Sequence, residues 1–191
     1  MDEGRYKLLM RVAIVLTLAW VAWTLYDTTP EKGAGDVPYL AANKYFEDGD
    51  FAAALDEYEE ALRQHPDHLH AMRGKARALL KLQRLDEALQ VADQAIARAP
   101  DFAATYANRG IIHDFLGEYE AAIKDYETAL RLDPKLAEGP GWMTRFLRNQ
   151  AEPPPTVADR ARYLRAELAK PEDERLLRMP ERDSAQRPFK L

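Results

Sequence analysis

GEYEAAIKDYETALRLDP, residues 117–134, has the apolar spacing of one amphipathic helix closed by a proline. GDFAAALDEYEEALRQHP, residues 49–66, spells nearly the same pattern, and QRLDEALQVADQAIARAP, residues 83–100, spells it again. The closing prolines Pro66, Pro100 and Pro134 stand 34 residues apart. A proline lacks the N–H that a helix interior requires and disfavours helix in its predecessor, so each one ends a unit.

Aligned on these prolines, the chain divides into blocks 35–68, 69–102 and 103–136. Small residues recur at the eighth position, Ala42, Ala76 and Gly110, and at the twentieth, Ala54, Ala88 and Ala122. Two helices of a unit approach closely where such residues face each other, and bulk there forces them apart. Larger side chains fill position eleven (Tyr45, Leu79, His113), seventeen (Phe51, Leu85, Tyr119) and twenty-four (Tyr58, Ala92, Tyr126). These blocks resemble tetratricopeptide repeats, helix-turn-helix units of this length that stack into a solenoid. The second block departs from the pattern, with Gln83 where the others have the turn glycines Gly49 and Gly117, and Ala92 in place of a tyrosine. About three units give such a stack a continuous core.

The 191 residues fit one domain with appendages, and the 47% apolar fraction argues against disorder throughout. The absence of cysteine excludes disulfides, thiolate catalysis and Cys-ligated metals. Residues 35–136 carry 12 basic against 19 acidic side chains, which argues against nucleic acid as a partner.

Residues 8–26, LLMRVAIVLTLAWVAWTLY, are long enough as a helix to cross a bilayer. A cleaved signal peptide is the rival, but WTLYDTTP offers no small-x-small site and no lipidation cysteine follows. Arg5, Lys7 and Arg11 precede the centre of the span, so the positive-inside rule places residues 1–27 as a cytoplasmic N-terminus and transmembrane anchor. Trp20, Trp23 and Tyr26 suit the outer boundary. The repeat body is then expected outside the inner, cytoplasmic membrane, periplasmic if the source is a Gram-negative bacterium. Residues 28–34 form a short linker.

After the repeats, residues 141–150 are expected to form a capping helix through Trp142, Met143, Phe146 and Leu147, completing a repeat domain over 35–150. Residues 151–191 read as a Pro-rich spacer and a helical or extended tail. Thr156 caps one expected helix, and Pro171 opens a second through Leu176, Leu177 and Met179. Two readings of the tail stand: it folds back as an extended cap, or it docks on a partner through Leu176, Leu177, Pro188 and Phe189.

HPDHLH, residues 65–70, is interrupted by Pro66 at the turn between units, so no metal site is expected there. With no phosphate loop and no nucleophile elbow, no catalytic residue, metal or other cofactor is assigned.

The family's concave surface is lined by the first helix of each unit. Carried onto this chain, the resemblance implies a protein-binding groove through Tyr39, Leu40, Asn43, Phe46, Arg73, Arg77, Leu80, Lys81, Asn108, Ile111, Asp114 and Phe115. Arg73, Arg77 and Lys81 recur every four residues, so they form a basic ridge on one helical face that suits a carboxylate. The chaperone-binding subfamily has lysine and asparagine at positions five and nine of its first unit and basic residues at positions two and six of its third. Asn43 matches, whereas Tyr39, Ala104 and Asn108 do not. The expected fold is all-α: a transmembrane helix, three repeats with a capping helix, and a helical tail. The expected role is a membrane-anchored adaptor for a membrane-associated protein partner, with a constitutive accessory subunit docked through the tail as the alternative.

Overall fold

A computed structural model describes residues 3–27, 33–139, 143 and 155–178. The described residues form helices and turns with no strand among them, in two units, 1–33 and 34–191.

The first unit is one helix, α1 (Glu3–Asp27). Its stretch Glu3–Thr24 has a mean hydropathy of 1.6 and none of its side chains is buried within the chain. Two polar groups inside it are satisfied locally: Thr17 Oγ1 donates to Ala13 O at 2.8 Å and Thr24 Oγ1 to Val21 O at 2.9 Å. A helix that meets its own hydrogen-bond needs and exposes apolar side chains all round has the composition of a candidate membrane span.

The second unit is a solenoid of three helix pairs: α2 (Asp36–Asp48) with α3 (Phe51–Gln64), α4 (Leu69–Lys81) with α5 (Leu85–Arg98), and α6 (Ala103–Leu116) with α7 (Tyr119–Leu132). Each helix packs on the next, and α4 also lies beside α2 and α6. The turn inside each pair is the same object built three times. Gly49 and Gly117 lie at φ +86° and +83° and donate to Phe46 O and Asp114 O, while Asp50 and Glu118 donate to Tyr45 O and His113 O. Gln83 adopts the same left-handed conformation at φ +59° and donates to Leu80 O, with Arg84 donating to Leu79 O. The stack therefore imposes on Gln83 a backbone that its side chain disfavours.

Alanines 54, 88 and 122 are fully buried, as are Tyr58 and Tyr126. Each tyrosine lies against a glycine of a first helix. A methyl group on Gly74 would sit 2.2 Å from Tyr58 Cε1, and one on Gly110 would sit 2.7 Å from the Tyr126 ring. The ring takes the volume that any side chain would need. Tyr58 donates its hydroxyl to Asn43 Oδ1 at 2.7 Å, and Tyr126 donates to Asp114 Oδ2 at 3.3 Å, so the polar end of each ring is also satisfied.

Beyond α7 and a 3-10 turn, Pro134–Ala137, the chain returns as α8 (Val157–Leu168), which packs on α7. Thr156 and Asp159 form a reciprocal capping box at its start. Val157, Ala161 and Leu164 are buried in the same core as the repeats, so α8 covers the open side of the third pair. The capping helix expected over 141–150 lies outside the described residues except Met143, which is helical and exposed.

The helix expected after Pro171 is replaced by a single 3-10 turn, Glu172–Glu174, followed by extended chain from Arg175. The reason lies in α8, whose side chains claim the backbone groups a helix would use. Glu167 Oε2 accepts from Leu176 N at 2.8 Å, Tyr163 donates to Leu176 O, and Arg160 donates to Leu177 O at 3.1 Å. Met179, Pro188 and Phe189 lie outside the described residues.

Candidate protein-binding groove

The first helices α2, α4 and α6 present the residues expected to line a groove. On α2, Tyr39 is half-buried, its ring centroid 4.9 Å from that of His68 and 6.3 Å from that of Tyr58. Asn43 holds the Tyr58 hydroxyl, and Phe46 meets Phe51 edge-on at 5.1 Å. Leu40 is exposed and Leu80 is buried.

The basic ridge of α4 differs in character from a solvated row of cations. Arg73 is only 4% exposed and Arg77 8%. The Arg73 guanidinium lies 3.6 Å above the Phe102 ring, and that of Arg77 lies 4.3 Å above Phe46. Burial holds both below the ordinary arginine value, opposed by Asp101 near Arg73 and by Tyr58, Tyr39 and Glu47 near Arg77. Neither guanidinium forms a hydrogen bond or an ion pair with the described residues. The Nε of each is fully enclosed and has no acceptor among the described residues. Stacking on an aromatic face returns part of the hydration lost, but it supplies no acceptor for the N–H groups. Two adjacent cations held in this way form a fork for an incoming anion. Lys81, one turn on, is half-buried.

On α6, Asn108 is nearly buried and Phe115 half-buried, while Ile111 is fully enclosed in the core. Ile111 thus contributes packing and offers no surface to a ligand. Asp114 is occupied from within the chain: Arg160 of α8 donates from Nε and Nη2 to its two oxygens at 2.6 and 2.8 Å. Arg178 donates from Nη2 to Phe115 O at 2.9 Å. The unit-3 end of the groove is therefore engaged by residues 160–178. At the tail, Leu177 packs against the core and Leu176 is 65% exposed.

His68 and His113 serve the fold. His68 caps α4 by accepting from Ala71 N at 3.2 Å and sets its Nε2 3.2 Å from Asp36 Oδ1. His113 Nδ1 lies 2.6 Å from Glu118 Oε2. Among the described residues no group of three His, Cys, Asp or Glu side chains is placed to hold a metal.

The pairing of Arg73 and Arg77 was legible from their spacing. Their aromatic platforms were not, because Phe102 comes from the turn before α6 and Phe46 from the end of α2. The role of Arg160, distant by 46 residues from Asp114, carried no local signal either.

Two family models, both for the tetratricopeptide repeat, match residues 39–103 and 103–136. Among curated relatives, Hsp70-Hsp90 organizing protein 3 of Arabidopsis thaliana is 32% identical over 115 residues, covering 60% of this chain and 19% of that protein. Stress-induced-phosphoprotein 1 of Caenorhabditis elegans is 30% identical over 138 residues, covering 72% of this chain and 41% of the relative. The chain thus spans less than half the length of either. Among solved structures, the first TPR of Spaghetti (RPAP3) bound to HSP90 peptide SRMEEVD shares the fold with a TM-score of 0.59 at 23% identity, over 73% of this chain and 97% of that one. The first TPR domain of the human RPAP3 protein, solved by NMR, gives 0.52 at 27% identity, over 62% and 90%.

Proposed function

The chain belongs to the tetratricopeptide repeat family, and from that premise we propose that it is a membrane-anchored adaptor whose groove takes an acidic, extended segment of another protein. That it is a repeat module for protein–protein interaction rests on the family itself. The finer reading rests on one observation above all: Arg73 and Arg77 are stacked and nearly buried, and the enclosed Nε of each has no acceptor among the described residues. A carboxylate would supply the missing acceptors, and partial enclosure would strengthen the bond relative to open water.

Similar domains support the class of ligand. The HSP90 peptide SRMEEVD in the Spaghetti complex is acidic. This chain lacks the subfamily's basic residues at Tyr39, Ala104 and Asn108, so the segment proposed here is acidic without being a chaperone terminus.

In this reading α1 spans the inner membrane with its N-terminus in the cytoplasm, and the repeat body faces the periplasmic or outer side. Tethering concentrates the groove near membrane-bound partners without a new contact. Assembly of an envelope or membrane complex is the role that suits such a tether, and it involves binding without turnover.

The test is a photocrosslinker at Phe46 in the full chain in native membranes, with the attached protein identified by mass spectrometry. One protein captured by wild type and lost with Arg77→Glu supports the adaptor; equal capture by both removes the arginines from it. Exposed Leu176 supports the alternative, a fixed subunit docked through its tail. A stoichiometric partner that survives high salt and disappears with Leu176→Asp would favour that alternative.

A further inference from the structure

A stack of repeats exposes one face at each end unless something covers it, and the two ends of this solenoid differ. At the third unit α8 buries Val157, Ala161 and Leu164 and turns Arg162 and Arg165 outward. The first unit has the opposite pattern. On α2, Val37 is 58% exposed and Leu40 52%, and half-buried Ala41 and exposed Lys44 continue the same stripe at helical spacing.

Their place in the repeat identifies the stripe. Val37, Leu40 and Lys44 are the third, sixth and tenth residues of their unit. Those positions hold Ala71, Gly74 and Ala78 in the second unit and Thr105, Asn108 and Ile112 in the third, and all six are buried. Tyr58 of α3 fills the space above Gly74, so these positions form the face that receives the second helix of the preceding unit. No repeat precedes the first unit, yet its equivalent face carries two large aliphatic side chains.

We infer that a second copy of this chain covers that face: α2 packs antiparallel on α2 of the other copy about a twofold axis, joining two solenoids at their first units. Leu40 lies over Ala41 of the second copy, and Val37 lies over the aliphatic stem of its Lys44, large against small on both sides of the axis. The Lys44 ammonium ends beside Asp36 of the second copy, and the axis forms that pair twice. Charge selects the antiparallel arrangement. Glu47 and Asp48 end α2, so a parallel pair sets acid against acid, whereas the antiparallel pair keeps them at opposite ends of the seam.

The capped third unit selects the symmetry. A head-to-tail stack of copies needs an open face on the last repeat, and α8 already occupies it, so only the self-complementary pairing closes. Size selects the setting. One helix pair buries less than the roughly 1,000 Å² of a stable complex, so the contact is weak between free copies. Copies held in one membrane by the anchor proposed above meet at a raised effective concentration, and the inference takes nothing else from that proposal.

The experiment uses the full chain in native membranes. The chain has no cysteine, so Ala41→Cys gives each copy a single thiol next to the axis. Under a mild oxidant it should form a disulfide-linked dimer at about tenfold or more the yield of Arg162→Cys, which is exposed on α8 away from the seam. Val37→Lys in the Ala41→Cys chain sets lysine against lysine and should lower the yield about tenfold, and adding Lys44→Glu should restore it. Val37 and Lys44 are both exposed, so melting temperatures should stay equal across the series. A yield from Ala41→Cys no higher than from Arg162→Cys, or one indifferent to Val37→Lys, overturns the inference. So does a photocrosslinker at Val37 that attaches lipid, another protein or another part of the same chain in place of a second copy. If the chain is recovered free of membranes and still pairs, the anchor falls and the dimer stands. If it is recovered in membranes and does not pair, the dimer falls and the anchor stands.

Discussion

Arg160 closes a two-pronged ion pair on Asp114, 2.6 Å from Nε to one oxygen and 2.8 Å from Nη2 to the other, with both side chains nearly buried. The pair joins α8 to the first helix of the third unit and makes the C-terminal helix an integral cap of the solenoid. Replacing Arg160 with methionine leaves a buried carboxylate whose remaining side-chain bond among the described residues is the 3.3 Å one from Tyr126. Loss of one partner of a buried pair costs about 3–5 kcal/mol, whereas an apolar replacement of both is often close to neutral. Urea unfolding should therefore show Arg160→Met less stable than Arg160→Met with Asp114→Leu. The reverse order would show that α8 is held by its apolar face alone.

Gly74→Ala sets helix propensity against packing. Alanine gains about 1 kcal/mol over glycine in a helix interior. Its methyl group would lie 2.2 Å from a ring atom of Tyr58, whose hydroxyl is held by Asn43. Overpacking of this kind costs about 1–3 kcal/mol and exceeds the gain. The substitution should lower the melting temperature. A rise would mean that the ring shifts without cost.

Gln83→Gly has the opposite sign. At φ +59° the glutamine bears the left-handed cost of about 1 kcal/mol, and its side-chain bond to Leu80 O is long at 3.5 Å. Glycine fits the turn, as it does at Gly49 and Gly117. The urea midpoint should rise by an amount equivalent to about 0.5–1 kcal/mol with an unchanged slope. No rise would mean that the bond to Leu80 offsets the strain.

Tyr58 ties stability to alkaline pH. Burial pushes its hydroxyl up to about 12, against the opposing pull of Arg77. An ordinary tyrosine titrates near 10 in the unfolded chain. A group whose folded value is raised gives stability that is whole below about pH 10 and declines as pH rises toward about 12, since the unfolded chain loses its proton first. Tyr58→Phe removes this dependence and, at neutral pH, the bond to Asn43, worth about 1 kcal/mol. The stability gap between wild type and variant, measured by urea unfolding, should narrow from pH 9 to 11.5. A constant gap would place the hydroxyl in contact with solvent.

The amino-acid sequence by itself determined the repeat, because prolines at a fixed interval, small residues at two fixed offsets and glycines at the turns are local demands of backbone and volume. It likewise marked α1 by length and apolarity, and the arginines by their helical spacing. What only the tertiary structure decided depends on residues distant in sequence. Phe46 and Phe102 come from neighbouring units to cover Arg77 and Arg73, so two cations of the expected basic ridge are enclosed. Arg160 crosses 46 positions to reach Asp114, and Glu167 with its neighbours claims the backbone of 176–177 in place of a second tail helix. Burial and charge pairing are set by which surfaces meet, and nothing within one helix of sequence encodes that meeting.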